Sequence, residues 1–202
     1  MKSLVAASVL ALSSLGAQAA LTTVPAWDSK YPSIAGVEFN VASGTLGTVA
    51  MGAHAYKNGV AMPNNGVDTY QGMNGIYAPD GLGRANWSFD FLYAIDSSCS
   101  NCTAVLRIDG DPTAGVSFHD VTLSSIYVGA HADSWNMDMG FLSPLNFDPY
   151  AASSTAFQLV IRNAAGLDVL SSTITVNVPE PGSLALAGLA LVGLATARRR
   201  RG

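Results

Sequence analysis

Two cysteines and two glutamates are all that this 202-residue chain holds of those residue types. The cysteines form a single Cys-x-x-Cys, Cys99 and Cys102, and neither a second pair nor a His-x-x-x-His exists to complete four zinc ligands. With only Glu38 and Glu180, a glycosidase pair would need two aspartates, or Glu38 with an aspartate. No Gly-x-Ser-x-Gly elbow is present, so the commonest serine-nucleophile signature is missing. Basic residues are also scarce. Between residues 20 and 178 there are five (Lys30, Lys57, Arg84, Arg107, Arg162) against thirteen acidic ones, a net charge near −8. Phosphate backbones need Lys and Arg, so nucleic acid is excluded as a partner. The same stretch shows no helical hydrophobic period, which argues against a helix bundle.

What is there begins at the ends. Met1-Lys2, the apolar run 4–15 and Ala17-Gln18-Ala19 have the charged, apolar and small-residue parts of an export signal. The predicted cut follows Ala19, leaving 1–19 as a signal peptide. At the other end, Pro179-Glu180-Pro181 precedes an apolar segment, 182–197, and then Arg198, Arg199, Arg200 and Arg201. Sixteen helical residues reach about 24 Å, short of a hydrocarbon core of roughly 30 Å, so a crossing needs snorkelling flanks or a thinned bilayer. The predicted element is a single transmembrane helix over 182–197, its arginines held on the cytoplasmic side. The body, 20–178, is then one domain outside.

This tripartite end, Val178-Pro179-Glu180-Pro181-Gly182-Ser183 with the apolar segment and the arginine cluster, resembles the PEP-CTERM sorting signal of exopolysaccharide-producing Gram-negative bacteria. The resemblance implies recognition and processing by an exosortase, a membrane cysteine protease-like enzyme. The tail would then anchor the chain only until processing. Three body segments, 85–91, 106–112 and 133–137, are similar to uncharacterised PEP-CTERM proteins, which carry no assigned activity; no functional residue follows from them.

The body alternates with period two. Trp87, Phe89, Phe91, Tyr93 and Ile95 share one face of an extended run, with Ser88, Asp90 and Ala94 on the other. Further alternating runs are 135–141, 157–162 and 173–178, and weaker ones are 37–41, 46–51, 105–109 and 121–128. The last two strong runs flank a Gly-containing loop and predict a hairpin. About eight short strands and no helix predict an all-β, antiparallel β-sandwich, with a jelly roll or barrel as runner-up. Residues 58–85, rich in Gly and Pro, are too long for a plain loop. They hold either a short hairpin or a binding loop, and Tyr56, Tyr70 and Tyr77 are lids over the core edge or a surface for sugar rings.

Candidate chemistry is sparse. Export places Cys99 and Cys102 in an oxidising space, where a local disulfide across a hairpin turn is expected, with redox or intermolecular thiol chemistry as the alternative. Asp109-Gly110-Asp111-Pro112 puts two carboxylates on one turn, which suits Ca²⁺ if Asp96 and Asp120 lie nearby; the other reading is a plain turn with exposed aspartates. His54, His119 and His131 are the only histidines, and His119-Asp120 and His131-x-Asp133 set a carboxylate beside two of them. No nucleophile is evident.

The chain therefore reads as an exported, non-catalytic protein with a structural or adhesive role at the cell surface or in an exopolysaccharide matrix. Its expected partners are the exosortase and secretion machinery, the membrane through 182–197 before processing, and exopolysaccharide. No cofactor is required by this reading. A carbohydrate- or Ca²⁺-binding module is the alternative, and a secreted hydrolase the third.

Overall fold

A computed structural model describes residues 20–57, 61–111, 113, 115–124 and 129–180, with isolated positions 182, 186 and 189. The expected signal 1–19, Pro181, most of 182–197 and Arg198–Arg201 lie outside the described residues. Among the described residues no helix is long and apolar enough to cross a membrane.

The strands are β1 (Thr22–Thr23), β2 (Glu38–Gly44), β3 (Gly47–Ala55), β4 (Thr69–Gln71), β5 (Trp87–Ile95), β6 (Thr103–Asp109), β7 (Phe118–Ser124), β8 (Gly129–Trp135), β9 (Ser153–Arg162) and β10 (Asp168–Val178). They form two five-stranded sheets, ordered β1-β2-β3-β5-β8 and β4-β10-β9-β6-β7. The sheets stack on one apolar layer, because alternation sends every second residue of each strand inward. Val49, Met51, Phe89, Phe91, Leu106, Phe157, Leu159, Ile161 and Ile174 are fully buried there. The rings of Phe89 and Phe157, one from each sheet, stack 4.4 Å apart at its centre. Each such side chain contributes about 1.5–3 kcal/mol on leaving water.

The architecture is a β-sandwich, and it differs from the sequence expectation in several places, among them β1 and residues 129–134 of β8, which no expected run covers. First, β4 pairs with β10 in parallel, so the second sheet is mixed. This edge strand, absent from the expectation, lies inside 58–85, and a 3₁₀ turn at Ala78–Asp80 follows it. Second, a six-residue helix α1 (Pro25–Lys30) stands where none was expected. Proline at its first turn is tolerated because that N–H has no helical partner, and Trp27 buries completely against Phe39 and Tyr31. Third, only Trp135 of the run 135–141 lies in a strand. β8 stops at Trp135, and the chain then turns into a 3₁₀ segment, Gly140–Leu145. The reason is Asn136, which is fully buried: its side chain accepts from Ala85 N–H and donates to the carbonyls of Ala85 and Trp87. Met137 still turns inward, whereas Phe141 stays exposed. Fourth, the run 121–128 is the end of β7, which starts earlier at Phe118; residues 125–128 lie outside the described residues.

The predicted hairpin of β9 and β10 is present, and Gly166 takes a left-handed φ of 78° in its loop. Gly47 is a stricter case. At φ 146° an added Cβ would sit 2.1 Å from the Ala94 carbonyl oxygen of the neighbouring strand, so only glycine fits there.

Candidate functional site

Two clefts and one exposed chain end hold the chemistry of the described residues. The first cleft lies on the outer face of the β1-β2-β3-β5-β8 sheet and has a volume of about 410 Å³. In the β3–β5 register His54 stands opposite Ser88, and in the β5–β8 register Asp90 stands opposite Ser134. Alternation along β5 puts Ser88 and Asp90 on the face away from the main core. His54 Nδ1 and Asp90 Oδ2 are 2.7 Å apart, with the two side chains 5% and 0% exposed. Burial pushes the Asp90 carboxyl up, while His54 pulls it back. The cover over this face is residues 24–37: Trp27 and Val37 pack with Phe39 of β2, Ala50, Leu92 and Ala132 in a second apolar cluster. Tyr31 Oη donates to the Ala132 carbonyl, and burial beside Asp133 raises its pKa. Lys30 Nζ donates to that carbonyl too. Tyr56 and Tyr77 line the open side, packed edge-to-face at 5.7 Å, with Lys57 bound to Asp80 at 3.0 Å. An imidazole whose Nδ1 is committed to a carboxylate has the tautomer of a general base. No hydrogen bond links His54 to Ser88 or Ser134.

The second cleft, of about 390 Å³, opens at one end of the sandwich, where the β6–β7 turn, the start of β9 and residues 144–151 meet. Asp109 sits at its base, 3% exposed. Its Oδ1 accepts from the N–H groups of Asp111 and Ser117, which builds the turn. Its Oδ2 is buried with no hydrogen-bond partner, and so is Ser153 Oγ. His119 lies against Gly110, and Leu145 and Phe147 supply apolar wall.

The candidates from sequence are mostly dispersed. Asp111 Oδ1 accepts from Thr113 N–H, which lowers its pKa, and does not converge with Asp109. Asp96 accepts from Ser98 N–H at the β5–β6 turn, and Asp120 joins Arg107 and Arg162. Each carboxylate of the expected Ca²⁺ set thus has separate local partners. Among the described residues no three His, Cys, Asp or Glu side chains gather as metal ligands. Asp120 is held by those arginines and not by His119, and His131 leans on the Tyr93 ring at 5.4 Å. Asp133 accepts from Trp135 Nε1 instead. Tyr70 is a lid: it is buried, and its hydroxyl donates to the Glu38 carbonyl at 2.5 Å. Cys99 and Cys102 are disulfide-bonded as expected, but the turn is not a hairpin: it joins β5 to β6, which lie in different sheets.

The remaining feature is the chain end. β10 runs to Val178, which is buried, and Pro179 and Glu180 emerge directly from it, exposed. The family model of the PEP-CTERM protein-sorting motif matches residues 177–201. The chain carries a PEP-CTERM sorting motif. That motif supports exosortase-dependent sorting to the cell surface, and it starts inside the last strand of the body. No curated protein matches the chain. Among solved structures, the PmoD soluble domain from Methylocystis sp. ATCC 49242 (Rockwell) is 10% identical and covers 69% of this chain and 96% of its own, at a TM-score of 0.38. A likeness of that size carries no argument about fold or function.

Proposed function

We propose that this PEP-CTERM protein is a non-catalytic structural or adhesive component of the cell surface or exopolysaccharide matrix. In this reading it is exported through 1–19, held at the membrane by 182–197 and released by an exosortase. The observation that carries the reading is the sorting motif placed directly on β10. β10 lies between β4 and β9 within its sheet. Processing beyond Val178 would therefore leave every strand of the body intact. The absence of a linker also sets the body close to the bilayer until release.

The test is replacement of Pro179, Glu180 and Pro181 by alanine in a host that contains an exosortase. The altered chain is expected to stay in the membrane fraction while the unaltered chain reaches the surface and medium. Equal release of both would overturn the reading.

A further inference from the structure

We propose that the cleft above Asp109 binds a primary alkylammonium group. Only one of the two Asp109 oxygens has a partner in the chain: Oδ1 accepts from the N–H groups of Asp111 and Ser117. Asp109 is 3% exposed, and its Oδ2 accepts no hydrogen bond. A buried carboxylate oxygen without a donor is costly, and a charged donor compensates it best.

No lysine or arginine of the body supplies one, and His119, in the same cleft, makes no hydrogen bond to that oxygen. Arg107 and Arg162 are committed to Asp120 and Asp168, and Lys57 to Asp80. Lys30 donates to the Ala132 carbonyl and Arg84 to that of Asp138. The cation must come from outside. The body as a whole, near −8, raises the local concentration of cations.

The rest of the cleft selects among cations. A metal ion needs several convergent ligands, and no such group gathers among the described residues. An ammonium needs acceptors on one side and room for a methylene stem on the other. Asp109 Oδ2 and Ser153 Oγ are two unpartnered oxygens at the base, and Asp148 adds a carboxylate at the rim. Met137, Leu145 and Phe147 form the apolar flank. The volume of about 390 Å³ admits a short aliphatic amine. Its source is either a free diamine or a lysine side chain, and the site does not depend on how the chain is sorted.

Calorimetric titration of the detergent-solubilised full chain tests this with 1,4-diaminobutane and with Nα-acetyl-lysine amide. The neutral isostere 1,4-butanediol and glucose are the controls. At least one amine is expected to bind, and which one identifies the source. Asp109→Asn keeps an oxygen for the Asp111 and Ser117 N–H groups and removes the charge; it is expected to weaken binding about tenfold or more. Ala151→Phe, at an exposed wall position, fills the cleft and is expected to abolish binding, and it decides the matter if Asp109→Asn fails to fold. Equal binding of butanediol, binding of glucose alone, no binding of either amine, or binding that survives both substitutions would overturn the proposal.

Discussion

The two outer faces of the sandwich hold similar ionisable groups in opposite surroundings. On the covered face, His54 and Asp90 meet at 2.7 Å with almost no exposure. On the open face, Arg107 and Arg162 each reach Asp120 and Asp168, at 2.7 to 3.3 Å, with side chains 19% to 45% exposed. The difference is made by residues 24–37, which close the first face with Trp27 and Val37. A pair that has lost its water is strongly destabilising to break, because the surviving partner is left charged or unpaired in a low dielectric. A wet network is screened, and its net contribution is small.

The largest expected effect is His54→Ala. It removes the imidazole that sits 2.7 Å from the buried Asp90 carboxyl and is expected to lower stability by about 3–5 kcal/mol in urea unfolding. A loss below about 1 kcal/mol would show that water reaches the covered face. Trp27→Ala is expected to cost about 3–5 kcal/mol through its cavity. It also opens the cover, so in that background His54→Ala should cost distinctly less than it does alone, a coupling that a double-mutant cycle reads. Strict additivity would separate the cover from the pair.

Next in size is a pH effect. Burial raises the folded pKa of Asp90 above its ordinary 3.8. The folded chain therefore holds that proton to higher pH than the unfolded chain does. The resulting contribution is complete below pH 3.8 and is lost as pH rises through the folded value. Asp90→Asn keeps an acceptor for His54 and does not titrate, so stability above that pH should fall less steeply with pH than in the unaltered chain. An unchanged slope would assign the dependence to another group. The smallest effect is Arg162→Ala on the open face: below about 1 kcal/mol, and shrinking further in 1 M salt.

The strands were legible where one face is apolar and the other polar. β5, β9 and β10 have that pattern, and their residues lie where alternation puts them. β4 was not legible, because three residues pairing in parallel at a sheet edge leave no period to read. The end of β8 was misleading, since Met137 and Phe141 keep the alternation after the Asn136 side chain has taken over the backbone's role. The His54–Asp90 pair escaped because sequence proximity favours His119-Asp120 and His131-x-Asp133, whereas this pair is made across adjacent strands. A signal was present: Ser88 and Asp90 lie on the polar face of the clearest strand, and such a face needs a polar neighbour. The sequence places Asp109 on a candidate Ca²⁺ turn; that its Oδ2 has no partner is a fact of packing, which composition does not carry. The sorting motif was the most legible of all, because a contiguous signature needs no fold to assemble it.

Exosortase-dependent release is read by intact-mass spectrometry of the chain from its host, in surface and medium fractions with the exosortase present and deleted. A released species that lacks 1–19 and the tail beyond 179–181 is expected when the exosortase is present, and a membrane-bound species retaining 182–202 when it is deleted. A released chain of unchanged mass in both hosts would contradict exosortase-dependent release.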